Sequence, residues 1–168
     1  MMGSVDEELM RRALDLADRA ADRGEVPVGA VVVDREGEIV GEAHNRREEL
    51  GDPTAHAEIL ALRAAAVLAG GWRLDGHVLY VTLEPCAMCA GAIVLSRLSR
   101  LVFATRDPKA GMCGSLENLV DDPRLNHRVE LVEGVLRDEA AARLSDFFRD
   151  LRAEGRVRSS ATGEDPVA

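Results

Sequence analysis

The segment 78-VLYVTLEPCAMCAGAIVL-95 changes character at its centre. Val78 to Leu83 is a compact apolar run containing β-branched residues, which reads as a buried strand. Pro85 ends that run, and Cys86 to Leu95 continues as a helix. Working outward, Val28 to Asp34 and Glu38 to Asn45 read as two strands joined at 34-DREG-37, a short polar connection suited to a hairpin. Leu101 to Thr105 and Val129 to Val132 supply a fourth and a fifth strand. Helical spacing of apolar residues predicts an amphipathic helix over Val5 to Asp22, with Gly24 as its stop. A second helix opens with Asp52 or Thr54 as N-cap, carries Ile59, Leu60, Leu62, Val67 and Leu68 on its apolar face, and ends at Gly70 and Gly71. A last helix spans Arg137 to Arg152, with Ala141, Leu144, Phe147, Phe148 and Leu151 turned wholly or partly inward. Strands alternating with helices predict an α/β sandwich.

At 168 residues and 46% apolar content, the chain is expected to form one domain over residues 1–154 with a continuous core. Residues 155–168 lack periodicity and are expected to form a flexible tail. No apolar run reaches the roughly 20 residues needed to span a bilayer, and the N-terminus lacks a basic segment leading into an apolar one. A cytoplasmic setting is therefore expected, with the three cysteines read as thiols or metal ligands rather than disulfides. The formal charge of −9 argues against general affinity for polyanions, although Arg97, Arg100, Arg106 and Lys109 face only Asp107 in their neighbourhood.

Cys86 and Cys89 stand at i and i+3, a spacing that lets two sulfurs converge on one ion. A lone C-x-x-C is shared by redox pairs, zinc half-sites and incidental thiols. The second helix opening, 54-TAHAEILAL-62, offers His56. If the two helix N-termini meet, His56, Cys86 and Cys89 can hold one tetrahedral ion with a fourth position free, the arrangement of catalytic rather than structural zinc. Glu58, placed about 200° around an ideal helix from His56, then faces the free position instead of chelating. A water activated by the metal can pass its proton to that carboxylate. Taken singly, His56 and Glu58 are ordinary surface residues. Jointly, His-x-Glu followed by Pro-Cys-x-x-Cys is the established signature of zinc-dependent nucleobase deaminases.

The chain resembles the cytidine and deoxycytidylate deaminase superfamily and, within it, the bacterial tRNA-specific adenosine deaminases. The resemblance runs from about Glu25 to Arg152 through EVPVGAVVV, HNRRE, DPTAHAEILAL, WRLDGHVLYVTLEPCAMCAGAI, DPKAGMCGSLENL, LNHRVE and LSDFFRDLR. It implies a cytidine deaminase-like fold, a three-layer α/β/α sandwich around a mixed five-stranded sheet. It implies one Zn2+ per chain on His56, Cys86 and Cys89, with Glu58 as the proton-carrying catalytic residue. It implies further that Asn45 and Ala57 contact the flipped nucleotide, and that Asp107, Asn126, Phe148 and Arg152 contact the surrounding RNA loop. The implied reaction is deamination of adenosine to inosine at the wobble position of a tRNA anticodon; the implied partners are the anticodon arm and a second copy of the chain. Two rival readings keep the same motifs: a deaminase of a small substrate such as guanine, cytosine or a nucleoside, and a structural zinc module closed by Cys113, His44, His77 or His127.

Overall fold

The structure, a computed structural model, describes residues 2–155. In chain order it contains α1 (Met2–Asp22), β1 (Gly29–Val33), β2 (Ile39–His44), α2 (Arg47–Leu50), α3 (Ala57–Ala69), β3 (Val78–Leu83), α4 (Ala87–Leu95), β4 (Arg100–Thr105), a 3-10 turn (Leu119–Asp121), β5 (Glu130–Glu133) and α5 (Arg137–Ala153). The strands form one sheet in the order β2-β1-β3-β4-β5. β1 runs antiparallel to β2 and to β3, whereas β3, β4 and β5 run parallel, so the sheet is mixed.

The run of apolar residues in β1, β3 and β4 follows from burial on both faces. Val31, Val33, Tyr80, Val102 and Ala104 pack on one side with Met10, Ala13 and Leu14 of α1 and Ala140 of α5. The alternate residues Ala30, Val32, Leu79, Val81, Leu101 and Phe103 pack on the other side with Ala57, Ala61 and Ala65 of α3 and Ile93 and Val94 of α4. The result is the expected three-layer α/β/α sandwich around a mixed five-stranded sheet.

Glycines let two helices approach closely. A Cβ at Gly29 would overlap the Ala13 carbonyl of α1, and one at Gly41 would overlap the Ala61 carbonyl of α3. Because α3 meets the sheet through this close contact, its buried stripe is Ala57, Ala61, Leu62 and Ala65. Val67 and Leu68, expected on the apolar face, are 83% and 69% exposed. The start of α3 also differs from expectation. Asp52 Oδ1 accepts hydrogen bonds from both the backbone N–H and the hydroxyl of Thr54, each at 2.8 Å. The Asp52 carboxylate therefore closes a local turn, Thr54 is held in it, and the helix begins only at Ala57. The short helix α2 was not legible, since four residues display no periodicity.

At one end of the sheet the C-terminal ends of β2, β3 and β4 meet the N-terminal end of β1, which brings Asn45, Glu84, Asp107 and Val28 together. Crevices of this kind, beyond the carboxyl ends of strands, are where α/β sheets hold ligands. No described helix is long and apolar enough to cross a membrane. Residues 156–168, nearly all of the expected tail, lie outside the described residues.

Candidate active site

Both helix openings singled out by the motifs point into that crevice. His56 is the N-cap of α3, extended at φ −73° and ψ 150°, and Cys86 is the N-cap of α4, at φ −72° and ψ 178°. The positive ends of two helix dipoles and their free N–H groups therefore bear on one point, which favours thiolate over thiol. His56 Nδ1 lies 3.6 Å from Cys86 Sγ and 3.5 Å from Cys89 Sγ. All three potential ligand atoms fall within 4.8 Å of one another.

These separations fit a single tetrahedral ion. Zinc bonds of about 2.3 Å to sulfur and about 2.0–2.1 Å to nitrogen, opened to the tetrahedral angle, set an N···S edge of about 3.5–3.6 Å. No fourth His, Cys, Asp or Glu joins this group among the described residues. Cys113 is fully buried within the core on the α3–α4 side. The ring nitrogens of the other histidines engage carbonyls instead: His44 that of Asn45 at 2.9 Å, His77 that of Asp75 at 3.3 Å and His127 that of Leu98 at 2.6 Å. The donor set is the open kind.

Glu58 sits in the first turn of α3 with 4% of its surface exposed. The helical offset expected between it and His56 does not apply, because the N-cap lies outside the helix; both side chains line the same cleft. Burial pushes the Glu58 carboxyl up to about 7, against the lowering effects of its own backbone N–H and of His56. The Cys86 thiol is pulled down to about 4, first by its hydrogen bond with Cys89 and further by His56. The same hydrogen bond and burial push Cys89 up. A bound dication would hold both sulfurs as thiolates. The hydrogen bond with Cys86 raises His56.

Val28, Asn45, Arg47, His56, Ala57, Glu58, Leu83, Glu84, Cys86 and Asp107 line the cleft. Asn45 is buried and held from both sides: its Nδ2 donates to the Val26 carbonyl at 3.4 Å, and its Oδ1 accepts from the Arg47 N–H at 3.4 Å. Ala57 is fully buried. Asp107 lines the wall and also starts a turn, its Oδ1 accepting from the N–H groups of Lys109 (3.1 Å) and Ala110 (3.2 Å). Asn126, Phe148 and Arg152 are not among the lining residues. Asn126 is exposed and accepts from Arg97 Nη1 at 2.8 Å. Phe148 meets Phe147 edge to face at 5.5 Å, and Arg152 is exposed near the end of α5. Arg47 and Glu84 escaped the motif reading. The signal for Glu84 was a carboxylate closing an apolar strand, directly before Pro85 and Cys86.

A mixed sheet that brings two helix N-caps, two sulfurs, an imidazole and a buried carboxyl to one crevice defines a class, the zinc-dependent nucleobase deaminases. The model of the cytidine and deoxycytidylate deaminase zinc-binding region matches residues 3–105, and the chain belongs to that family. Two relatives lie within it at high identity. The tRNA-specific adenosine deaminase of Bacillus subtilis is 52% identical over 88% of this chain and 91% of its own length. That of Haemophilus influenzae is 50% identical over 92% of this chain and 90% of its own. A solved structure from work on A-to-I editing by tRNA:A34 deaminases at the wobble position of transfer RNA superimposes with a TM-score of 0.78 at 42% identity, covering 82% of this chain and 99% of that one.

Proposed function

We propose that this chain deaminates adenosine to inosine at the wobble position of a tRNA anticodon, holding one Zn2+ on His56, Cys86 and Cys89. The observation that carries the reading is the convergence of these three ligand atoms beside buried Glu58, in a chain about half identical to proteins named tRNA-specific adenosine deaminases. Zinc held there supplies an electrophile that makes water nucleophilic near neutral pH. Glu58 takes a proton from the attacking water, delivers one to a ring nitrogen of adenine, and assists departure of the amino group as ammonia; water and adenosine thus become inosine and ammonia. Its carboxyl, raised to about 7, is poised to hold and release that proton.

Asn45 and the Ala57 backbone bind the flipped base, and Asp107, a lining residue of the cleft, contacts the surrounding RNA loop. Asn126, Phe148 and Arg152 lie beyond the cleft and would meet the RNA loop outside the flipped position. An anticodon loop already exposes its bases, which lowers the cost of unstacking one of them. A single domain over residues 1–154 and a cytoplasmic setting accompany this reading. So does a homodimer, for which the exposed apolar residues Val67, Trp72 and Leu95 around α3 and α4 offer a surface.

The test offers the zinc-loaded protein an anticodon stem-loop with adenosine at the wobble position, alongside free adenosine, guanine and cytosine. Inosine in the stem-loop, identified after nuclease digestion, is expected. Turnover of the free compounds alone would reject the RNA substrate in favour of a small one, a reading that the charge of −9 supports. Sedimentation of the same sample checks the dimer.

A further inference from the structure

Glu84 carries a carboxylate into a place that gives it almost no water, with 2% of its surface exposed. It follows the last residue of β3 and stands two residues before Cys86. One loop supplies its partners. The backbone N–H groups of Cys113 (3.3 Å) and Ser115 (3.2 Å) donate to its Oε2, and the Ser115 hydroxyl donates to its Oε1. Gly111 lies so close that a Cβ there would overlap the same carboxylate. Three donors from one segment thus offset the desolvation of a single side chain on another.

The same loop begins at Asp107 in the cleft wall. The Asp107 carbonyl accepts from the Gly111 N–H at 2.9 Å, and the Pro85 carbonyl accepts from the Met112 N–H at 2.9 Å. Residues 107–115 are therefore folded on themselves and fastened to the short junction between β3 and α4, the junction that also delivers Cys86.

We infer that Glu84 is a positioning residue for the deamination: by clamping residues 111–115 it fixes Asp107 in the cleft wall relative to the metal-ligand helix. This rests on the proposed function of the cleft. An irregular loop held in place before substrate arrives need not be ordered during binding, so the clamp acts on affinity. His56, Glu58, Cys86 and Cys89 are placed by α3 and α4, so the chemical step retains its geometry when the clamp is removed.

The experiment is a cycle of Glu84→Gln, Asp107→Ala and the double variant, all zinc-loaded, assayed on the anticodon stem-loop. Glu84→Gln is expected to raise KM about tenfold with kcat changed less than about threefold, the pattern of lost uniform binding. In the Asp107→Ala background it should add nothing further. Amide exchange at Cys113 and Ser115, followed by NMR, should accelerate in Glu84→Gln while zinc content stays at one per chain. A KM effect that persists in the double variant would overturn the inference and make Glu84 a direct contact. A fall in kcat alone, or unchanged exchange, would overturn it as well. Should Glu84→Gln fail to fold, Ser115→Ala, which keeps the carboxylate, should raise KM by a smaller factor that Asp107→Ala again absorbs. If the wild-type protein does not turn over the stem-loop, the functional reading fails; the exchange comparison still decides whether the clamp exists.

Discussion

Strands β3 and β4 carry a buried polar cluster towards each end, and the two clusters are opposite in kind. Towards the N-terminal ends, Asp6 accepts from Arg100 at 3.0 and 2.9 Å and from the Tyr80 hydroxyl at 2.7 Å, so both carboxylate oxygens are satisfied. Burial alone would raise the Asp6 carboxyl, but Arg100 and Tyr80 outweigh it and hold it below the usual range. At the C-terminal ends, burial acts on Glu58 with weaker opposition, and its carboxyl rises to about 7. The first cluster joins α1 to the sheet. The second leaves a charge-bearing group poised to exchange its proton, as a catalytic acid or base requires.

If that contrast is correct, damage to the two ends has different consequences. The largest effect is expected on removing the metal: a chelator should reduce deamination to background, and added zinc should restore it. Next, Glu58→Gln should retain one zinc per chain, measured by atomic emission, yet lower kcat about 10³-fold through loss of the proton carrier. Loss of zinc from this variant would instead make Glu58 a ligand. At the other end, Asp6→Ala leaves the Tyr80 hydroxyl without its acceptor and Arg100 with only the largely exposed Glu130, at 3.6 Å. The Arg100 and Asp6 side chains are 21% and 11% exposed. A loss of about 3 kcal/mol is expected in urea unfolding, with kcat of the folded protein unchanged. A fall in kcat without loss of stability would erase the distinction between the two ends.

The pH dependence should have opposite signs. Asp6 has a folded value below its reference of 3.8, so its contribution is complete above that value and disappears as pH falls through the folded one. Urea midpoints of the wild-type protein should therefore drop more steeply in acid than those of Asp6→Asn. Glu58 is raised from 4.5 to about 7. Between those values the folded state retains a proton that the unfolded state has released, so stability falls as pH rises. In the chelated protein, Glu58→Gln should accordingly gain on wild type at pH 8, by on the order of 3 kcal/mol before any loss of hydrogen bonding. The gain should vanish below pH 4. An equal difference at both pH values would show that titration of Glu58 is not its source.

The same contrast explains what was legible in the sequence. β3 could be read to the residue because 78-VLYVTL-83 is buried on both faces and bounded by Gly76 and Pro85. The convergence of His56, Cys86 and Cys89 was foreshadowed by motif spacing, since His56 and Cys86 each open a helix, Cys89 lies in the first turn after Cys86, and the topology brings helix openings to one end of the sheet. Features that depend on side-chain bonds between distant segments were not legible. Asp52 resembles a helix cap until Thr54 occupies its carboxylate, and Val67 looks like core until the Ala61–Ala65 stripe meets Gly41. Arg47 and Glu84 lie inside the motifs HNRRE and LEPC, but their place in the cleft emerges only where the strand ends meet.

The smallest expected effect concerns Cys113, the residue that could turn an open metal site into a closed one. Its thiol is fully buried in the apolar core and stands outside the group formed by His56, Cys86 and Cys89, which favours an inert core sulfur over a ligand. The loop carrying it is held through its backbone N–H to Glu84, a bond that does not depend on the side chain. Cys113→Ser should therefore keep zinc and turnover and cost only about 1 kcal/mol for burying a hydroxyl in an apolar setting. Metal analysis and thermal unfolding on one preparation decide the point. Loss of zinc together with activity would mean that the imidazole and two sulfurs are not the whole ligand set, and the cleft would have to be read as a structural centre with Glu58 idle beside it.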